Sequence, residues 1–240
     1  MTLVMKIAFL SPPVSGHLNP MTTLARELQS RNHDVVFISL PDGEPSVRAA
    51  GLTFLPCGAK EFPAGSLKER LRRLSKLQGD EALRVTLQNA ALRTEAMLNS
   101  LPAALAEAAV DAVVIDTVLF YVELVPISLG MPYAHVANAL HFDYSGHTPL
   151  CFYDWPHETT PAALARNRKG VETFLEALTP AKSVAKAYAK RIGCEVDWGD
   201  PCATISQLAW ITQTPKAFDF EISPVLLPGS LRRRPGCSYH

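Results

Sequence analysis

Short apolar runs alternate with stretches of helical periodicity along most of the chain. Lys6–Leu10 is an almost continuous apolar run that ends at a serine and two prolines, which is the pattern of a strand buried on both faces of a parallel sheet. Asn19 and Pro20 can then start a helix that continues to about Arg31, and residues 35–39 form a second apolar run. This order predicts a βαβ unit, whose right-handed crossover makes the sheet parallel.

The same alternation continues to about residue 212. Apolar runs predict four more strands, and the stretches rich in Leu and Ala between them predict helices. We therefore expect one α/β domain over residues 1–225, with a Rossmann-like parallel sheet flanked by helices, followed by a linker or irregular tail over 226–240. The predicted strands are 52–55, 112–115, 132–137 and 208–212, and the predicted helices lie within 67–109, with interruptions near Gly79 and Pro102, within 120–129 and within 162–192.

A long excursion separates the last two predicted strands. Residues 141–158 are rich in aromatic, proline and histidine residues and predict an irregular loop. Long loops inside compact domains usually carry function. The rings of the excursion suit a hydrophobic ligand, and ordinary core packing is the alternative; they belong to Phe142, Tyr144, Phe152, Tyr153 and Trp155.

Composition narrows the choice of partners and compartment. Lys plus Arg and Asp plus Glu both total 23, so the net charge is zero and no nucleic acid or other polyanion is expected to bind. The five cysteines are scattered and form no C-x-x-C pair, which favours a reduced, cytoplasmic location. The apolar runs are short or interrupted by charges and prolines, so we expect no transmembrane segment.

Ligands of open parallel sheets bind beyond the carboxyl ends of the strands. The predicted loop 11–18 leaves the first strand at that edge, and it has neither the dinucleotide fingerprint nor the phosphate-binding P-loop. It contains Ser15, Gly16 and His17, where the glycine permits close approach of a ligand and the histidine, with an ordinary pKa of roughly 6.5, suits proton transfer near neutral pH. The alternative is that His17 only caps or packs against the following helix.

Two further groups of residues suggest less chemistry. Histidines 135, 141, 147 and 157 match no zinc-binding spacing and are joined by no cysteine pair, so no metal site is expected. The basic segment 68–73 predicts a solvated helix face, with contact to a membrane surface as the alternative.

Three segments together resemble one family. The first is the pattern G-H-x-x-P at Gly16, His17 and Pro20 inside the first βαβ unit, the second is the strand that ends at Asp116, and the third is the segment 211–220. Together they resemble the N-terminal half of the UDP-dependent glycosyltransferases of the macrolide, plant-metabolite and zeaxanthin glucosyltransferase superfamily. The resemblance spans essentially the whole chain.

The resemblance implies an inverting, two-Rossmann-domain enzyme whose N-terminal half binds the acceptor. It implies that His17 deprotonates an acceptor hydroxyl and that Asp116 hydrogen-bonds the far ring nitrogen; capping of a following helix is another role open to Asp116. The donor would be a UDP-sugar acting as co-substrate, without a cofactor, and the acceptor a small hydrophobic molecule. The residues expected to bind substrate are Ser15, Gly16, Asn138, His141, Phe142, Phe152, Tyr153 and Trp155.

No segment resembles the donor-binding domain that members of the superfamily carry after this half. The chain is therefore expected to act as the acceptor-side half of a hexosyltransferase, inactive unless a separate donor-binding domain or chain completes it. A truncated, inactive transferase or a binding module that lacks the chemistry is the alternative.

Overall fold

A six-stranded parallel sheet organises the chain in the computed structural model, which describes residues 4–140 and 142–215. The strands lie in the order β3-β2-β1-β4-β5-β6, and every neighbouring pair is parallel. This order confirms the predicted Rossmann-like α/β class. The strands are β1 (Lys6–Leu10), β2 (Asp34–Ser39), β3 (Thr53–Pro56), β4 (Ala112–Asp116), β5 (Tyr133–Ala137) and β6 (Trp210–Thr212), each with bounds within two residues of its predicted position.

Seven α-helices join or flank these strands within the described residues. They are α1 (Ser15–Ser30), α2 (Glu44–Ala49), α3 (Ser66–Leu74), α4 (Gly79–Ala108), α5 (Leu124–Ser128), α6 (Pro161–Ala177) and α7 (Thr179–Ile192). Helices α1 and α2 pack on one face of the sheet, and α4 and α7 pack on the other.

Successive residues of β1 enter opposite hydrophobic clusters. Ile7 and Phe9 pack with residues of α1 and β2, whereas Ala8 and Leu10 pack with residues of α4 and α7. Since side chains alternate across a strand, a strand covered on both faces must be apolar at every position. This explains the unbroken apolar run from which the strand was predicted.

The first helix begins earlier than predicted. Helix α1 starts at Ser15 after the cap residue Val14, so His17 lies in its first turn rather than in a loop, and Pro20 lies inside the helix. A proline cannot donate to the carbonyl four residues earlier, which here belongs to Gly16. Gly16 is exposed, and water can satisfy that carbonyl, so the helix tolerates Pro20.

The predicted interruption at Pro102 is also wrong. Helix α4 is 30 residues long and continues through Pro102 without a break. Leu98, Leu101 and Leu105 around it are almost fully buried against the sheet. Burial of three leucines outweighs the cost of about 3 kcal/mol that a proline imposes inside a helix.

Two shorter helices also differ from the sequence-based expectation. The helix predicted over 120–129 is confined to α5, because Tyr121 adopts a left-handed backbone conformation with φ +64° that no helix accepts. Helix α2 was not predicted, since six residues are too few to show a periodicity.

The excursion after β5 is an irregular loop over 142–160 followed by α6 and α7, as predicted. A hydrophobic cluster separate from the two that flank the sheet joins this excursion to α4. It contains Leu87, Leu150, Val171 and Phe174. The predicted tail 226–240, the closing segment beyond residue 215 and His141 lie outside the described residues. Within the described part of the chain, none of the helices is long and apolar enough to cross a bilayer.

Candidate active site

His17 and Asp116 meet at the edge of the sheet where the strand order reverses. Strands β1 and β4 are neighbours, with Leu10 opposite Ile115, so Asp116 at the end of β4 lies beside the chain that leaves β1. His17 Nδ1 is 2.8 Å from Asp116 Oδ2. The Asp116 side chain is fully buried, whereas a quarter of the His17 side chain is exposed, at 25%. Asp116 is therefore enclosed by protein, whereas the ring of His17 remains partly accessible.

Asp116 is held by donors from three strand ends. Its Oδ2 accepts hydrogen bonds from the Ser11 hydroxyl at 3.2 Å and from Asn138 Nδ2 at 2.7 Å, and its Oδ1 accepts from the Val118 N–H at 3.2 Å. Asn138 in turn accepts from Gln213 Nε2 at 2.7 Å. These hydrogen bonds fix the orientation of the carboxylate.

The helix-cap interpretation of Asp116 does not apply. The bond from the Val118 N–H closes a local turn, and α5 begins only at Leu124 with Glu123 as its cap residue. Asp116 therefore orients His17 and the turn, not a helix.

This arrangement determines which nitrogen of His17 is available. Because a carboxylate only accepts hydrogen bonds, the bond to Asp116 places the neutral ring's proton on Nδ1. Nε2 then carries the lone pair, and within the described residues no protein group hydrogen-bonds to it. The ring can take a proton from a bound molecule at Nε2.

His17 lines a cleft of about 320 Å³ that opens between α1, α3, α4 and the excursion. Most of the lining side chains are apolar, which suits a hydrophobic ligand. Four lining side chains are ionisable: His17, Asp42, Arg70 and Arg93. The apolar lining includes Pro12, Pro13, Val14, Leu67, Leu71, Leu74, Leu87, Ala90, Val118, Phe120, Phe142 and Phe152.

An aromatic cluster forms one wall of the cleft. Phe142 stacks on Phe152 with ring centroids 5.5 Å apart and on Phe120 at 6.0 Å. Phe174 lies fully buried behind them, with centroids 5.3 to 6.1 Å from these three rings. Phe152 keeps 41% of its surface exposed, so this wall combines a rigid base with an accessible ring.

Five other residues expected to bind substrate lie elsewhere, and His141 is outside the described residues. Tyr153 and Trp155 stack with centroids 3.9 Å apart and pack against Gly170 of α6, outside the cleft. Ser15 and Gly16 are exposed at the start of α1 and do not line the cleft. Asn138 contacts Asp116, so its place is behind His17.

Sequence reasoning missed Ser11, Phe120 and Arg93. Ser11 follows β1 directly, and its position at the strand end was the available signal. Arg93 and Phe120 are 27 positions apart along the chain and line the same cleft because α4, which carries Arg93, is hydrogen-bonded to the turn after β4. No local pattern marks them.

A second polar group lies behind the aromatic wall. Glu123 Oε1 accepts from the Thr204 hydroxyl, and Glu123 Oε2 is 4.0 Å from His135 Nε2 and has no hydrogen-bond partner among the residues that the structure describes. The Ser206 N–H donates to His135 Nδ1 at 3.1 Å. Burial raises the pKa of Glu123 to about 7 and lowers the pKa of His135 to about 4, because both charged forms lose water.

No group of three or more His, Cys, Asp or Glu side chains is placed to hold a metal ion in residues 4–140 and 142–215.

Comparisons with known proteins match this fold and sequence. The chain is 30% identical over 206 residues to zeaxanthin glucosyltransferase from Pantoea ananas, covering 84% of this chain and 48% of that protein. It is 28% identical over 219 residues to zeaxanthin glucosyltransferase from Pseudescherichia vulneris, covering 89% and 50%. The chain thus spans about half the length of the curated relatives it matches. No family model matches it.

Solved structures share the fold. The calicheamicin glycosyltransferase CalG4 superposes with a TM-score of 0.60 at 17% identity, covering 92% of this chain and 49% of CalG4. The glycosyltransferase VinC, solved in complex with dTDP, gives 0.57 at 17% identity over 90% of this chain and 50% of VinC.

The fold defines the class as a Rossmann-like α/β domain of the kind that these solved glycosyltransferases share. In sequence, the chain matches the N-terminal half of the UDP-glycosyltransferases of the macrolide, plant-metabolite and zeaxanthin glucosyltransferase superfamily.

Proposed function

We propose that this chain is the acceptor-side half of an inverting transferase that moves a hexose from a UDP-sugar to a hydroxyl of a small hydrophobic acceptor. The observation that carries the proposal is the 2.8 Å hydrogen bond between His17 and the buried Asp116 in the wall of an apolar cleft. The name of the relatives supports glucose as the sugar. The dTDP in the VinC structure supports a nucleoside diphosphate as the leaving group.

In the proposed reaction the cleft holds the acceptor and places its hydroxyl at Nε2 of His17. Nε2 takes the hydroxyl proton while the oxygen forms a bond to the anomeric carbon. The bond from that carbon to the diphosphate breaks on the opposite side, so UDP leaves with the electron pair and the configuration inverts. A positioned base contributes roughly 10²–10⁴-fold to such a step.

Asp116 contributes before and during proton transfer. Before transfer it holds the tautomer that leaves Nε2 free, and afterwards its buried negative charge stabilises the imidazolium. Because Ser11, Asn138 and the Val118 N–H already orient the carboxylate, no reorganisation is needed at the moment of reaction.

The proposal also covers the sugar donor, the domain that binds it and the location of the protein. The donor serves as a co-substrate, so proton transfer and displacement need no cofactor. A donor-binding domain, in the same protein or in a separate chain, holds the nucleotide. The free thiols of Cys57, Cys151, Cys194 and Cys202 support a reducing, cytoplasmic location.

The test is a transfer assay with the chain alone and with the donor-binding domain of a related transferase. UDP-glucose and dTDP-glucose are offered with a panel of aromatic and aliphatic alcohols. We expect product only in the complemented reaction, and we expect His17→Ala to lower turnover by about 10²–10⁴-fold with acceptor binding retained. His147→Ala, which changes an exposed histidine outside the cleft, is the matched control.

Each outcome of the assay bears on a different part of the proposal. Unchanged turnover in His17→Ala would remove the base assignment. Acceptor binding without product under every arrangement would leave a binding module and overturn the transferase. Product from the chain alone would show that no separate donor-binding domain is required.

A further inference from the structure

Arg93 places a positive charge in the apolar cleft. It is carried by α4, and its Nη2 donates to the Val118 carbonyl at 2.8 Å. The Val118 N–H donates to Asp116, so Arg93 is anchored to the same short turn that holds His17 in position. Both Arg93 and His17 line the cleft.

Most hydrogen-bond donors of the Arg93 guanidinium have no acceptor among the described residues. Among residues 4–140 and 142–215, its one hydrogen bond is to Val118, and no carboxylate lies within ion-pair distance. The Arg93 residue is half-buried and lines the cleft, so its side chain is not fully enclosed by protein. Burial lowers the pKa of Arg93 to about 10, partly opposed by the charge of Asp116, so the side chain remains a cation at neutral pH.

The other ionisable lining groups do not satisfy Arg93. Asp42 is the acidic side chain among the described lining residues, and it accepts from the Gly65 N–H at 2.7 Å and the Leu67 N–H at 3.0 Å at the start of α3. Asp116 is occupied by Ser11, His17, Asn138 and Val118. The cleft thus has an unmatched cationic donor beside otherwise apolar walls.

We propose that Arg93 selects acceptors that carry a carboxylate on an apolar ring or chain, by binding that carboxylate with the guanidinium donors left free in the cleft. A guanidinium offers planar, paired donors that match the two oxygens of a carboxylate. The aromatic wall of Phe120, Phe142 and Phe152 holds the apolar body. This inference rests on the proposed function, since it names the class of acceptor for that cleft.

Fluorescent hydroxynaphthoates are suitable probes. Two regioisomers are titrated into the full chain, one with the hydroxyl beside the carboxylate and one with it on the other ring, each against its neutral hydroxymethyl counterpart. Hydrogen bonds to charged groups predict tighter binding of at least one carboxylate, on the order of tenfold to a hundredfold over its counterpart. Equal binding of both members in both pairs would overturn the proposal, whatever the variants do.

Three variants then assign the preference to a residue. Arg93→Met should abolish the preference while the hydroxymethyl compounds bind as before, and Arg93→Lys should retain part of it, because an ammonium keeps the charge without the paired donors. Arg70→Met is the control: Arg70 also lines the cleft, but it donates to Asn89 and stacks on Phe62 at 4.3 Å. Loss of the preference in Arg70→Met with Arg93→Met unchanged would overturn the assignment, and so would equal weakening of both probes in Arg93→Met.

The binding experiment needs no donor and separates the two proposals. A carboxylate preference without any sugar transfer would remove the proposed function and leave the preference standing. Sugar transfer by the complemented chain with no carboxylate preference would remove only this inference.

Discussion

At the scale of single residues, Asp116 fixes which ring nitrogen of His17 is free, as the proposed base role requires. Its two oxygens accept from Ser11, His17, Asn138 and the Val118 N–H, so every one of these contacts requires an acceptor. A carboxylate meets that demand with both oxygens, whereas an amide does so with one.

We predict that Asp116→Asn lowers turnover of the complemented chain by about 10²-fold or more, because the amide weakens the preference for the tautomer with Nε2 free and supplies no charge to the imidazolium. Acceptor binding should change little. The measurements are turnover with UDP-glucose and ¹⁵N chemical shifts of the His17 ring.

Asp111→Asn provides the control for that substitution, since Asp111 accepts from the Lys6 N–H at the opposite edge of the sheet. Equal turnover in Asp116→Asn and the unmodified chain would show that the hydrogen bond to His17 does not support catalysis.

At the scale of elements, α6 supports the cleft from behind. Phe174 projects from α6 and contacts Phe120, Phe142 and Phe152, while Leu87 of α4 belongs to the same cluster. The excursion therefore supports the aromatic wall through a buried ring that does not itself line the cleft.

Phe174→Ala should lower the free energy of unfolding by about 3–5 kcal/mol, since a fully buried ring leaves a cavity that its neighbours cannot fill. Phe152→Ala should cost clearly less, because 41% of that ring is already exposed, yet it should weaken binding of the naphthalene probes. Denaturant unfolding and probe titration measure the two effects. Equal stability losses would contradict the assigned support role of Phe174.

At the scale of the whole molecule, Glu123 connects parts of the chain that are far apart in sequence. It precedes α5, contacts Thr204 ahead of β6, and lies beside His135 of β5. Its pKa rises from 4.5 to about 7 on folding because it is buried. The native state therefore holds a proton on Glu123 over a pH range in which the unfolded chain has released it.

The sign of the resulting pH dependence follows from this difference. The contribution of Glu123 to stability is complete below about pH 4.5 and is lost as the pH rises through about 7. Glu123→Gln carries no titrating proton, so the variant should gain on the unmodified chain between pH 5 and 8, by about 3 kcal/mol at most.

Thermal or denaturant unfolding of both proteins at several pH values measures that gain. His135, whose pKa is lowered to about 4, titrates in both proteins, so its contribution largely cancels in the difference. A stability difference that is constant across this range would show that Glu123 does not titrate as stated.

The sequence by itself determined the sheet, because each strand coincides with a short, mainly apolar run, and in the central strands β1 and β2 burial on two faces makes that run almost unbroken. It also located the candidate site: β1 and β4 end at the same edge, and His17 and Asp116 follow from that edge and from the resemblance. The excursion was also recognisable from local patterns. A stretch rich in aromatic, proline and histidine residues predicted the irregular loop, and the residues that follow it predicted helices.

Tertiary structure decided the continuity of α4 and the residues that line the cleft, because both depend on contacts between distant segments. Packing of Leu98, Leu101 and Leu105 on the sheet carries α4 through Pro102, against the proline's own preference. The stacking of Tyr153 on Trp155 against Gly170 takes both rings away from the cleft. Arg93 and Phe120 enter the cleft from separate elements, because contacts between distant segments are set by how helices pack across a sheet and not by the order of residues along the chain.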